Sequence, residues 1–237
     1  MWKTSGSNTG RFAYLREKIM KTRCCRKWIT RSAALLLAAG ITAGTLAGSS
    51  LTAHAAAAYD SKWTQTYTME ELLMPALAKN TDAKGVYEQL RQALRFKTIY
   101  PGNILDMWEK GAKIPADAAR LLADDGLITS YVYKMISGQA LEASDFSDVF
   151  DAAYYYGANP DLAAAGVPYD EQTLFLDFLE NGMAAGRNAS AEFNLSCYKK
   201  NYPSLVKAFG DNNANYYMHY MLFGKAMGQV ADKLLKK

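Results

Sequence analysis

From residue 72 onward the apolar positions fall at helical spacing, and no alternating strand pattern of useful length appears. Leu72, Leu73, Ala76 and Leu77 follow Thr68-Met69-Glu70-Glu71, which has the form of a capping box with Thr68 as N-cap and Glu71 reaching back to its amide. Pro75 inside this segment predicts a kink or a short first turn. Asp82 is placed to cap a second helix, with Val86, Tyr87, Leu90, Ala93 and Leu94 on one face. Tyr100-Pro101-Gly102-Asn103 reads as a turn, with Asn103 capping a helix over 104–110 that Gly111 closes. Pro115 takes the first position of a helix bearing Ala118, Leu121 and Leu122, and Asp124-Asp125-Gly126 breaks it. Leu127, Ile128, Tyr131, Val132 and Met135 form one more stripe, ended by Gly138. The pattern therefore predicts an all-α fold, with five or so short helices before the remainder of the chain.

That remainder repeats itself. Phe150, Tyr155, Pro160, Leu162 and Ala165 recur 43 residues later as Phe193, Tyr198, Pro203, Leu205 and Ala208. Farther along the offset becomes 42: Leu174, Phe175, Phe178 and Leu179 match Tyr216, Tyr217, Tyr220 and Met221, and Gly182 and Gly186 match Gly224 and Gly228. The shift falls in the turn around residues 166–170, where a change of length is tolerated. Asn159-Pro160 puts a cap residue before a proline that can open a helix. Gly182 is expected to end the longer helix in a left-handed conformation, and Gly186 to allow a second sharp turn. Tyr131, Met135 and Gly138 resemble the tail of a degenerate earlier unit, at an offset of 44 from Phe175, Leu179 and Gly182. Units of two or three short helices cannot bury their aromatics alone, so neighbouring units must stack, with the N-terminal helices as a cap.

The run Phe150-Asp151-Ala152-Ala153-Tyr154-Tyr155, then Asn159-Pro160-Asp161-Leu162, Phe178 and Gly182 to Gly186-Arg187, resembles a repeat common in secreted proteins of Firmicutes, especially gut clostridia. That repeat reads roughly F-D-x-x-Y-Y, N-P-D-L, H-F/Y, G, E-G-R. The second copy keeps His219-Tyr220 and Gly224 but has Tyr202-Pro203-Ser204-Leu205 and Gly228-Gln229 where the family pattern has Asn-Pro-Asp-Leu and Gly-Arg. The resemblance spans about residues 146–232 and implies a secreted or cell-surface location and a helical architecture. It brings no established activity of the repeat itself.

Composition changes this picture at the N-terminus. Residues 1–31 hold nine of the 27 Lys/Arg and only Glu17 among the 23 acids, and residues 32–59 carry no charge. The apolar run at 33–39 and the Ala53-His54-Ala55 site complete the form of a secretory signal peptide, cleaved after Ala55, with Met1 or Met20 as the start and an uncleaved anchor as the alternative. Loss of residues 1–55 turns the net charge from +4 to about −4, which removes the electrostatic support for nucleic-acid binding. Cys24 and Cys25 leave with the leader and Cys197 remains alone, as a small hydrophobe or an intermolecular partner. The organisation read from the sequence is thus a signal peptide (1–55), an N-terminal helical region (56–145), two repeats (about 148–190 and 191–232) and a basic tail (233–237).

Little in this chain carries recognisable chemistry. One histidine after the leader, His219, and one cysteine argue against a transition-metal site, and it reads as a packing or hydrogen-bonding residue. Asp145, Asp148 and Asp151, three apart, can share a helix face and bind calcium, or charge the start of a helix. Glu70, Glu71, Glu88 and Glu109 lie on helices, but nothing in the sequence pairs them as a glycosidase requires. No catalytic residue, cofactor or metal is assigned. The aromatics are the better lead, with nine tyrosines from residue 146 onward, in runs that one helix cannot bury whole. Tyr154 and Tyr156, which flank the repeat-matched Tyr155, are expected to be exposed, and Tyr216 and His219 complete the candidate ligand-binding set. The reading is an exported, non-catalytic binding module, directed at cell-wall glycan or another surface protein. The alternatives are an assembly component of a secreted complex and a small hydrolase with an unrecognised carboxylate pair.

Overall fold

The computed structural model describes residues 69–80 and 82–236, and throughout them the regular structure is helical. The expected leader, its expected cleavage site and the expected cap Thr68 all lie outside the described residues. Five helices come first: α1 (Met69–Lys79), α2 (Ala83–Arg95), α3 (Pro101–Glu109), α4 (Ala116–Asp124) and α5 (Ser130–Ser137). Asp82 caps α2 by accepting from the Gly85 amide at 2.7 Å, and Thr129 caps α5. Gly138 (φ 75°) ends α5 in the left-handed region. Pro75 lies inside α1 and costs it one ladder hydrogen bond without ending it.

Two expected starts shift. Tyr100-Pro101-Gly102-Asn103 is the first turn of α3, not a separate turn, because proline suits the first helical position. Asn103 still caps, but from inside the helix, its side chain accepting from the Tyr100 amide at 2.8 Å. Pro115 sits one residue before α4, with extended ψ, and serves as its N-cap residue.

After a 3-10 turn (Ala143–Phe146) come α6 (Ala152–Ala158), α7 (Pro160–Ala164) and α8 (Glu171–Asp177). A π segment, π1 (Phe178–Gly182), carries α8 into α9 (Met183–Ala185). The order recurs as α10 (Leu195–Asn201), α11 (Pro203–Phe209), α12 (Asn213–His219) and π2 (Tyr220–Gly224). The helix caps of the two stretches match, and one side-chain tie differs in kind. Asp151 and Asn194 cap α6 and α10, and their amides donate to the carbonyls of Ala189 and Ala231. Asn159 donates to the Asn188 carbonyl, while at the matching place the Tyr202 hydroxyl accepts from the Val230 amide.

Gly182 departs from expectation. Its φ of −61° is right-handed, and it lies inside a helix that continues to Ala185. What it supplies is space: a Cβ there would stand 2.5 Å from the Tyr155 hydroxyl, and Gly224 faces the Tyr198 hydroxyl in the same way. The left-handed cap is Gly186 (φ 73°), so Gly138, also left-handed, shares its role with Gly186 and not with Gly182.

One core joins all of this. Phe146, Phe150, Phe175, Phe178 and Tyr217 form a chain of ring contacts, with centroids 5.0–5.6 Å apart, from the 3-10 turn into the second repeat. Phe193 and Tyr198 extend it. The second repeat also touches the N-terminal region directly, because π2 packs on α3 with the Phe223 ring against Gly102.

Candidate functional site

Helix α6 decides which tyrosines face water. Tyr155 points into the core, so its neighbours, each about 100° away around the helix, fall on opposite flanks. Tyr154 is 38% exposed. Tyr156 is half-buried, and its ring meets that of Tyr169 edge-on, with centroids 5.2 Å apart. Tyr169, in the turn between α7 and α8, is 65% exposed. One exposed aromatic surface therefore lies around α6 and the turn at 166–170, apart from the lone Phe96 ring after α2.

The other two candidate ligand residues are placed differently. Tyr216 is fully buried, its hydroxyl donating to the Gly210 carbonyl at 2.8 Å and its ring covered by the Lys199 ammonium at 4.6 Å. His219 is fully buried as well, with its Nδ1 2.7 Å from the Tyr198 hydroxyl. That hydroxyl spends its single proton on Gln229 Oε1, so Nδ1 carries the hydrogen and donates to the phenol oxygen. Burial holds the imidazole pKa down at about 4, so it is neutral at physiological pH. At the matching place in the first repeat, Tyr155 donates to Asp177 at 2.7 Å. His219 is thus the second repeat's partner for its core tyrosine, and neither it nor Tyr216 can meet a ligand from solvent.

Of the two repeats, only the first carries exposed rings; the other strongly exposed ring among the described residues is Phe96, 75% exposed just after α2. At the matching positions of the second repeat, Cys197 and Lys199 replace Tyr154 and Tyr156, and the aligned turn offers Asp211 and Asn212 in place of Tyr169. Cys197 is half-buried with a free thiol. The architecture therefore does not require aromatic rings at these places. Residues 148–190 also carry seven acids against the single basic residue Arg187, whose guanidinium holds Asp161 in a two-pronged pair at 2.5 and 3.0 Å. Such a surface repels polyanions.

Asp145, Asp148 and Asp151 do not share a helix face, because the chain passes from a 3-10 turn through an irregular stretch into α6. Asp145 pairs with Lys134 at 3.0 Å, Asp148 with Lys225 at 2.5 Å, and Asp151 caps α6. Among the described residues no group of three or more His, Cys, Asp or Glu is placed to hold a metal ion, and no helix is long and apolar enough to cross a membrane.

Two features escaped the sequence pattern. Tyr169 lay in the turn where the repeat offset changes, and its signal was a lone ring after Pro168 with no packing partner at helical spacing. The second is a buried pair of carboxylates. Glu70 of α1 and Asp106 of α3 share one cation, the Lys110 ammonium, which lies 2.6 Å from each. Asn103 also donates to Glu70 at 2.7 Å. Burial and the neighbouring Glu70 push the Asp106 carboxyl up to about 7. Burial alone would raise Glu70 too, but hydrogen bonds from Asp106, Lys110 and Asn103 outweigh it and hold Glu70 below its usual range. The partners come from helices 33 residues apart, which no local motif encodes.

No protein-family model, no curated protein and no solved structure matches this chain.

Proposed function

We propose that the chain is an exported, non-catalytic binding module of the cell surface or cell wall, and that it holds neutral glycan on the tyrosines of its first repeat. The observation that carries this reading is the pair of exposed rings Tyr154 and Tyr169 with the half-buried Tyr156 between them, present in one repeat and absent from its twin. Rings kept in water at positions where the fold accepts Lys, Cys or Asp need a reason other than packing. A sugar ring stacks its C–H face on tyrosine, and the phenol hydroxyl hydrogen-bonds its rim. The acid excess of the first repeat favours neutral glycan over anionic wall polymers. The basic, apolar and Ala-x-Ala succession at the N-terminus supports export.

A hydrolase gains no support from the Glu70–Asp106 pair. Both carboxylates are buried on a shared Lys110 ammonium, whereas glycosidase carboxylates face each other across an open cleft.

The test is co-sedimentation of the purified protein with Gram-positive sacculi. Tyr169→Ala and Tyr156→Ala should each weaken retention about tenfold, equivalent to ~1.4 kcal/mol, and Tyr154→Ala by less. Lys207→Ala, a change in an exposed residue of the second repeat, should leave retention unchanged. No retention of the wild type would overturn the glycan reading and turn attention to a protein partner.

A further inference from the structure

The Glu70–Asp106–Lys110 cluster takes no part in the aromatic surface. It sits where α1 meets α3, and it supplies much of what holds α1 in place. The apolar hold on that helix is thin: Leu77 is buried, Leu73 and Met74 are half-buried against the core, and Leu72 is exposed. The polar hold is concentrated in Glu70, which accepts from Asn103 and Lys110, and Lys110 lies 2.6 Å from the buried Asp106 as well.

We propose that Glu70, Asp106 and Lys110 form a proton-operated clasp: one proton shared by the two carboxylates holds α1 on α3, and its loss in alkaline surroundings releases α1. Two buried carboxylates gathered on one ammonium need either a proton or a second cation, and Lys110 supplies only one positive charge. With the proton in place, Asp106 donates to Glu70, Glu70 stays ionised, and Lys110 balances it. Without it, two negative charges face one ammonium in a site that water reaches only at Lys110, itself 41% exposed.

Among the described residues no other packed element offers a spare positive charge to the site. Lys134 of α5 is engaged by Glu142 and Asp145. From π2, the element packed on α3, comes the apolar Phe223 ring against Gly102, and the following Lys225 is held by Asp148 and Glu192. Glu71 and Glu109, next to Glu70 and Lys110 in the sequence, can only add negative charge. The elevated pKa of Asp106 agrees with this geometry and places the release near neutrality.

Amide hydrogen exchange on the full-length protein tests the clasp. Corrected for intrinsic exchange chemistry, protection of residues 69–79 should fall about tenfold between about pH 6 and about pH 8.5, while α4 keeps its protection. Asp106→Asn, which keeps a donor toward Glu70 without a charge, should protect α1 equally at both values. Glu70→Gln should likewise abolish the pH dependence. If either variant fails to fold, carboxyl carbon NMR of the wild type must show an aspartate titrating near neutrality. Equal protection of α1 at both pH values, an equal loss across the whole protein, the wild-type pH dependence persisting in Asp106→Asn, or no aspartate titrating in that range would each overturn the proposal.

Discussion

His219 shows how burial turns a residue usually read as chemistry into a stability element. In the unfolded chain its imidazole titrates at about 6.5, whereas in the fold it stays neutral down to about 4. Between those values the unfolded chain binds the extra proton, so stability falls as the pH drops through that window and the loss levels off near its lower end. The full difference is about 3 kcal/mol. Urea unfolding at about pH 7 and about pH 4.5 should show this loss, and His219→Gln, which keeps a neutral hydrogen-bonding group, should remove most of it. Identical acid sensitivity in wild type and variant would show that other groups set the acid limb. The buried phenols of Tyr155, Tyr198 and Tyr217 are pushed up by burial in the same way, so no phenolate forms in this core in the neutral range. At this scale the sequence was legible in part. It placed Asp82 as a cap and Tyr155 as a core ring, and it separated Tyr154 from Tyr155. It could not bury Tyr216 and His219, because their burial comes from Lys199, Phe209 and Phe223 folding over them from elsewhere in the second repeat.

Among the elements, π1 and π2 explain the glycine spacing better than any cap does. A π turn is wider than an α turn and costs hydrogen-bond geometry, so it persists where packing repays it. Here each π segment ends on a glycine that admits a tyrosine hydroxyl from the neighbouring helix. Gly182→Ala should therefore cost about 1–3 kcal/mol by overpacking. Tyr155→Phe in the same chain should recover part of that loss, because it removes the clashing oxygen. A double-mutant cycle by urea unfolding measures the coupling, and additive losses would show that the two groups do not meet. Helices and their number were legible before residue 146 because their faces are amphipathic and their stops are Gly or Asp-Gly. The π segments were not, since an i to i+5 ladder leaves no periodic trace in five residues, and Gly182 was read as a stop for that reason. Glu70 with Asp106 was invisible because each residue alone resembles any helix-borne acid.

Across the whole molecule, the seam between Gly102 and Phe223 couples the N-terminal region to the second repeat. Phe223 also stacks on His219, with centroids 5.8 Å apart, so the contact runs from α3 into the second repeat's core. Phe223→Ala should cost about 3–5 kcal/mol and leave a cavity at that seam. Residue-resolved exchange should then show the two halves opening separately, where the wild type opens as one unit. Loss of stability without separation would mean that the ring chain from Phe146 to Tyr217 is sufficient by itself. The seam also fixes how the protein can change in length. An open array of units grows by adding copies at a free end or by inserting them between neighbours. In this chain the last unit is already lodged between α9 of the first and α3 of the N-terminal region. A further unit inserted between the two repeats would carry Phe223 away from Gly102 and open that seam.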